Sequence, residues 1–475
     1  MEIETKIKLI ENLTWIISLI VAIVAIISIS LIGWIAGFVL LGMAILVIAV
    51  FLDKDIIFPA FIIIVTSTSQ IPEQYHHLIS YGFSFLLLGF WLFRHIRSNT
   101  QLLEIDRGVS LFIFAVLLLS FVSSVFSDYY RQGLFATFRL AFFFVIVYVL
   151  YDWLRSEVQI RKVFSALVII GLVISFPAII QFAQAGFTLF SSSLISPTRF
   201  AGFFTGQGAL AMNLSYTLPI TLSMSLYSKN STTRFFLFTS FLIMSFALFL
   251  TFSRAAWISV AISTTILLLT TRKGKQFIII LTILLTSIML SSEMIQEMLL
   301  ILLRIESGLS SRDVMWKAAW DIFKDHPIIG TGPWTFREYA FSYTRVEPGS
   351  WISDIVSFSK GSAHNFYLHS AAELGFGGFL MSAGIFILYF RKFHLIKKLT
   401  QSSFNYLLYP CGAIVAGVIG RSFFQANGII TSGWLSMDLY FWVIFSITLS
   451  IGKIATTEFH EKSFPLSLDD HRDKI

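Results

Sequence analysis

Charge is scarce in this 475-residue chain: Asp, Glu, Lys and Arg make up 13% of it, about half the roughly 25% of soluble domains. That shortage excludes an ordinary water-soluble domain. Apolar runs of about 16 to 25 residues take the place of the charges, each near the length a helix needs to cross a bilayer core. Cysteine is nearly absent too. Cys411 lies inside an apolar run, so there is no disulfide framework. No His/Cys group has the spacing of a zinc site and no carboxylate pair suggests acid–base work, so no metal and no cofactor is expected. A cleavable leader is not evident, because the first apolar run, 13–31, is too long for a signal core and continues into a second span. There is no internal repeat and no matching pair of Gly/Pro-interrupted spans, which argues against a transporter built on inverted repeats. The net charge of +7 would suggest nucleic acid in a soluble protein. Here the basic residues sort to one set of loops, and nucleic acid is not an expected partner.

What is present is hydrocarbon-soluble helix. Runs near residues 13–32, 33–52, 55–69, 78–93, 109–126, 135–151, 162–184, 206–227, 235–252, 254–271, 276–291, 365–390, 405–421 and 434–451 read as fourteen spans. The expected fold is all-α, a polytopic membrane protein with about 12–14 transmembrane helices. With the N-terminus inside, Lys6/Lys8, Lys54, 94–107, 155–162, Lys229/Arg234, 272–275, 391–398 and the tail fall in the cytoplasm and hold most of the 34 Lys and Arg. Outside the long loop, the outer side keeps only Arg131, Arg139, Arg199, Arg254 and Arg421. That bias places both termini in the cytoplasm of a multi-pass plasma-membrane protein. It divides the chain into an N-terminal bundle (1–194), helices with outer-face arginines (195–291), an external loop (292–363), C-terminal spans (364–452) and a cytoplasmic tail (453–475).

The segment 311–378 organises the rest, since it contains most of the only long polar interruption. The loop is too long for a connector and too rich in Trp, Arg and helix signals for a disordered linker. Ser310 or Ser311 can cap a helix opening at Arg312, with Trp316, Ala319, Trp320 and Phe323 on one face turned to the membrane surface or the tops of the spans. His326-Pro327 stops that helix, Gly330-Thr331-Gly332-Pro333 turns the chain, and a second short helix is expected over 334–345.

Arginines at the outer span boundaries form the candidate anion site, because guanidinium groups bind phosphate in a bidentate fashion. Arg139 lies one turn inside its span, where a charge needs a partner or a water-filled cavity. Arg254 stands between two spans with almost no loop, and Arg312 opens the loop helix. For Arg131 and Arg421 the better reading is snorkelling toward the surface. His364, with Asn365 beside it, begins the first span after the loop and titrates in the range useful for proton transfer; the bland alternative is a histidine that caps or packs. His369 and Glu373 share a helical face and read as mainly structural, in support of His364. Gly375, Gly377 and Gly378 read as places where a neighbouring helix comes close. Asp313, Asp321, Asp325 and Glu338 read as solvated helix faces.

Together these residues resemble a known family. His364-Asn365, nine residues, then Gly375-Phe376-Gly377-Gly378 resembles the signature of the O-antigen ligases and the related O-antigen polymerases. Arg312-x3-Trp316…Phe323…His326-Pro327-x2-Gly330-x-Gly332 before it does so too. Ser253-Arg254 looks like the family's Ser-Arg element, and Arg199-x2-Gly202-Phe203-Phe204 leading into 209–219 like its outer-loop arginine motif. That last motif departs from the usual Asn-Pro-Asn turn, having Thr205-Gly206-Gln207-Gly208. The resemblance covers about 195–390 and implies a bacterial GT-C type membrane glycosyltransferase that takes a glycan from an undecaprenyl-diphosphate carrier at the outer face of the plasma membrane. It implies an acceptor hydroxyl on lipid A–core sugar for a ligase, or on a second lipid-linked repeat for a polymerase. Chemistry then assigns His364 as base and Arg254 and Arg312 to the diphosphate, with direct attack that inverts the anomeric centre and arginines in place of a metal. Arg199, Arg139, Asn365 and Trp316 are the expected substrate-binding residues. A lipid-linked glycan transporter, with charges lining the midplane, and a non-catalytic scaffold are the competing readings.

Overall fold

A backbone in hydrocarbon must satisfy its amides within its own segment, so long apolar runs fold as helices. The computed structural model describes residues 57–67, 73–98, 101–189, 198–202, 206–272, 274–276, 278–280, 312–344, 362–431 and 434–463. The spans expected at 13–32 and 33–52, most of that at 276–291, and the Ser310/Ser311 cap lie outside these residues. Among the described residues the chain is helical and has no strand. In order the helices are α1 (Ile57–Ser67), α2 (Glu73–Ser98), α3 (Arg107–Val125), α4 (Tyr130–Trp153), α5 (Glu157–Gln184), α6 (Gln207–Tyr227), α7 (Ser231–Leu250), α8 (Arg254–Leu269), α9 (Arg312–Asp325), α10 (Phe336–Thr344), α11 (Phe366–Leu399), α12 (Asn405–Ser422) and α13 (Leu435–Ser463). Eight of the described helices are long and apolar enough to cross a membrane; α1 and α8 are shorter apolar helices. Phe85, Phe138 and Phe235 are each more than 60% exposed on these helices, an arrangement that lipid tolerates and water would not.

Two ends of the bundle follow from the alternation of the chain. At one end α3, α5 and α7 begin under side-chain caps: Asp106 accepts from the amides of Gly108 and Val109, Ser156 and Gln159 form a capping box, and Asn230 accepts from Thr232 and Thr233. The connections carrying most of the Lys and Arg lie here, so we call it the basic end. The loop helices α9 and α10 mark the other, the loop end. The core runs between α1, α4, α5, α11, α12 and α13, with a second cluster among α5, α6, α7 and α8. α8 packs antiparallel on α12, with Gly417 against Ser259 and Ser263 and Gly420 against Ile258 and Ile262. Arg254, at the head of α8, therefore lies at the end where α12 finishes.

α11 is two helices joined at a break. Gly375 has φ 65° and ψ −154°, a left-handed conformation that glycine adopts without steric cost. The loop fills the gap in backbone hydrogen bonding. The amides of Thr331 and Gly332 donate to the carbonyls of Ala372 and Glu373 at 3.1 and 2.9 Å, and Phe376 donates to the Pro327 carbonyl at 2.7 Å. Ser123 of α3 adds a bond to the Glu373 carbonyl at 3.0 Å. Backbones cross so closely that a Cβ on Gly330 would sit 2.3 Å from the Glu373 oxygen and one on Gly375 2.4 Å from that of Ile328. The expectation that these glycines serve helix approach holds for Gly377, where the Leu119 side chain of α3 abuts. For Gly375 it is replaced: this glycine is where the helix stops being one.

The loop helices match their expected places, α9 opening at Arg312 and ending at Asp325 before His326-Pro327. Their buried face differs. Met315, Ala319 and Ile322 of α9 and Phe336 and Ala340 of α10 pack with Ala363 and Ala372 of the α11 segment. Trp320 is exposed and its ring is tilted against Phe323 at 5.5 Å, and Trp316 points its ring toward Phe424 at 6.3 Å. Aliphatic side chains, two alanines among them, let α9 lie close on α11; the larger aromatics are displaced to its flanks.

Candidate active site

The first half of α11 is positioned by its own cap. Asn365 Oδ1 accepts from the Leu368 amide at 3.0 Å, and its Nδ2 donates to the carbonyl of Phe423, just past α12, at 3.2 Å. Both ends of the Asn365 amide are thus engaged within the protein, tying the start of α11 to the end of α12. His364 precedes it with φ 52°, a left-handed backbone uncommon for a non-glycine residue, and its amide donates to Ser362 Oγ at 3.1 Å. Burial, then the positive charges of Arg312 and His369, push the His364 imidazole down to about 4. The ring is therefore neutral at pH 7 and able to accept a proton. Arg312 is brought to it by the packing of α9 on α11.

Glu373 is the anchor beneath this pair. Its Oε1 accepts from the Phe336 amide at 3.1 Å and lies 3.6 Å from His369 Nε2. A carboxylate at the first turn of α10 meets the positive end of that helix. The ring of His369 packs edge-on against Phe336 at 5.1 Å. Both residues thus hold the loop helix on α11.

Further cations lie at the same end, Arg139 buried and Arg199 exposed. Arg139 is 7% exposed, with its guanidinium 4.8 Å from the Trp334 ring, and Asp438 and Glu373 act on it electrostatically. Trp334 has φ 65°, its carbonyl accepts from Gln132 Nε2 at 2.6 Å, and its ring lies 5.3 Å from Trp434. Arg199 donates from Nε to the Thr251 carbonyl at 3.0 Å. The amide of Gln207, turned with its oxygen toward Arg199, adds contacts of 3.0 and 3.3 Å. Thr251 belongs to the turn that leads through Phe252 (φ 48°) and Ser253 into Arg254. Arg199 and Arg254 thus flank one turn, while His364, Arg312 and His369 make up a second group at the head of α11.

Arg421 corrects its expectation. It does not snorkel but is 1% exposed, donating to Ser215 Oγ and Tyr216 Oη, each at 3.1 Å. The Tyr216 hydroxyl passes the chain of bonds to the Gly428 carbonyl at 3.0 Å. Asp438, passed over in the sequence, is fully buried and accepts from Thr431 Oγ1 at 2.8 Å and from the amides of Thr431 and Gly428. An acid inside the apolar run around Trp434 was signal enough to single it out, since ionisable residues within spans are rare and functional by default. Among the described residues no three His, Cys, Asp or Glu side chains gather as a metal site needs.

Residues 239–383 match the sequence model of a family described as O-antigen ligase. The match runs from within α7, through the loop helices, to beyond the break in α11. Comparison with curated proteins returned no match. The matched segment includes Arg254, Arg312, Trp316, His364, Asn365, His369, Glu373 and the Gly375 break; Arg139, Arg199 and Arg421 lie outside it. It supports the assignment of this helical membrane protein to the O-antigen ligase and polymerase group.

Proposed function

We propose that the protein transfers a glycan from an undecaprenyl-diphosphate carrier to an acceptor hydroxyl, a lipid A–core sugar, at the outer face of the plasma membrane. The observation that carries this reading is His364, neutral and partly buried at the head of α11 with the Arg312 charge beside it. The positive-inside bias supports the basic end as cytoplasmic, which puts the loop end outside. The domain division at 195–291, 292–363 and 364–452 then separates the arginine-bearing spans, the covering loop and the spans that carry His364.

In the proposed step the acceptor oxygen attacks the anomeric carbon as His364 takes its proton. The bond from that carbon to the phosphate oxygen breaks, and the electron pair leaves on the diphosphate. Arg312 and Arg254 stabilise the charge that grows there, with Arg199 and Arg139 behind them. Attack from the face opposite the leaving group inverts the centre. Burial first, and then the Arg312 field, make His364 a weak base. A bound diphosphate offsets the Arg312 part and leaves the burial part, so the base strengthens when the donor is in place but stays below its ordinary value.

The test is glycan transfer in a strain lacking the gene, complemented with wild type, His364→Ala or Arg254→Ala at matched membrane levels. Loss of capped core with long carrier-linked chains accumulating supports a ligase. Accumulation of single repeats would instead make the protein a polymerase, and full transfer by both variants would remove the assigned site.

A further inference from the structure

An apolar cavity of about 380 Å³ opens between α3, α4 and α13, away from His364. Its walls run from Leu117, Ala141 and Trp442 within the spans to Ile105 and Tyr151 at the basic end, and Val145, 43% exposed, stands at its open side. This volume lies in the range of small-molecule sites, about 300–1,000 Å³. At the basic end it meets a second, more polar hollow of about 480 Å³, with Ile105 and Tyr148 belonging to both. A lipid has the same division of apolar tail and polar head.

Charge at the junction decides the head. The Lys453 ammonium lies 5.1 Å from the Tyr151 ring and donates to the Glu104 carbonyl at 2.6 Å; Tyr151 Oη donates to the same carbonyl at 3.3 Å. Of the acids nearby, Asp106 pairs with Lys392 at 2.6 Å, and Asp152 with Arg155 at 2.6 Å and His95 at 2.7 Å; exposed Glu104 lines the polar hollow and faces Lys453 electrostatically. Exposed Arg107 adds a further cation beside Ile105. With the pairs neutral, Lys453 and Arg107 outweigh the one carboxylate of Glu104, so a phosphate there meets a net positive charge.

We propose that these joined cavities hold one anionic phospholipid of the leaflet at the basic end, with an acyl chain between α3, α4 and α13 and its phosphate beside Lys453. The occupant is distinct from the glycan carrier, whose charged end is required at the loop end under the function proposed above. The site stands or falls independently of that function, since its test reads bound lipid and not transfer.

The full-length protein would be placed in vesicles of equal phosphatidylglycerol and phosphatidylcholine, extracted, and weighed intact by native mass spectrometry. Wild type is expected to retain one phosphatidylglycerol in preference to phosphatidylcholine. Ala141→Trp fills the cavity and is expected to lose the lipid, as is Val145→Trp at its open side, which is less exposed to folding failure. Lys453→Gln is expected to keep a lipid while its preference for the anionic head falls about fivefold, the effect of one lysine near an anionic surface. Wild type holding no lipid, equal retention of both lipids, lipid retained in both tryptophan variants, or a polyprenyl diphosphate as the retained molecule would each overturn the proposal.

Discussion

The two ends of the bundle are built to different rules. At the basic end, Asp106, Asp152 and Glu157 are each matched by Lys392, Arg155 or Arg161 at 2.6 Å, and helices begin under ordinary caps. At the loop end stand Arg139, Arg199, Arg254, Arg312 and Arg421, with the carboxyls of Glu373 and Asp438 buried among the helices. All four described non-glycine residues with left-handed backbone, Phe187, Phe252, Trp334 and His364, lie there too. Such conformations cost about 1–3 kcal/mol each and persist where surrounding structure holds them. One end is held by short ion pairs and ordinary caps; the other carries buried arginine and strained backbone, features that suit the anion site proposed above.

The comparison breaks most visibly at His364. His364→Ala is expected to lower the initial transfer rate about 10²–10⁴-fold at equal protein level. His364→Asn, which tolerates the left-handed backbone, should lower it as far, and an active Asn variant would mean that the imidazole is not the base. Arg312→Gln should reduce kcat/KM by about 10²–10³-fold. It should also shift the pH profile. The neutral imidazole is the active form, so activity falls as pH drops through the His364 value, about 4 in the empty site. Removing the Arg312 charge moves that acid limb of kcat/KM upward. In wild type the limb of kcat should lie above that of kcat/KM, because the bound diphosphate screens Arg312. Gly375→Ala forces a Cβ into a left-handed position 2.4 Å from a carbonyl oxygen, a loss of about 1–3 kcal/mol or more read as a lower melting temperature. The smallest effect belongs to the basic end. Asp106 is raised by burial but brought net below its ordinary value by Lys392 and the Val109 and Gly108 amides. The stability it adds is present above the usual aspartate value and lost as pH falls through the lowered one. Asp106→Asn should cost up to about 1 kcal/mol near neutral pH, leave turnover unchanged, and converge with wild type in acid.

The spans were legible because hydrocarbon leaves little choice: eleven of the expected runs fall on described helices, from α1 to α13 with only α9 and α10 outside them. The loop helices were legible from Arg312 and His326-Pro327. The buried face of α9 was not, since Trp316, Trp320 and Phe323 outweigh Met315 and Ile322 in hydrophobicity while burial follows what lies opposite. Nor was Arg421, whose partners Ser215 and Tyr216 stand 206 and 205 positions away. Gly375 could be seen as a close-approach glycine but not as a break, because its positive φ depends on Pro327 and Ile328 crossing beside it.

That crossing also bears on how the protein is made. Unpaired carbonyls at Ala372 and Glu373 would be costly in lipid, and the residue that covers Ala372, Thr331, precedes it by 41 positions. The ribosome thus delivers the patch before the tear. A cell in which residues 327–332 are altered would meet an incomplete helix at the moment of insertion and clear the protein. In a genetic screen such a change would look like a missing enzyme, although the residues that touch the sugar were intact.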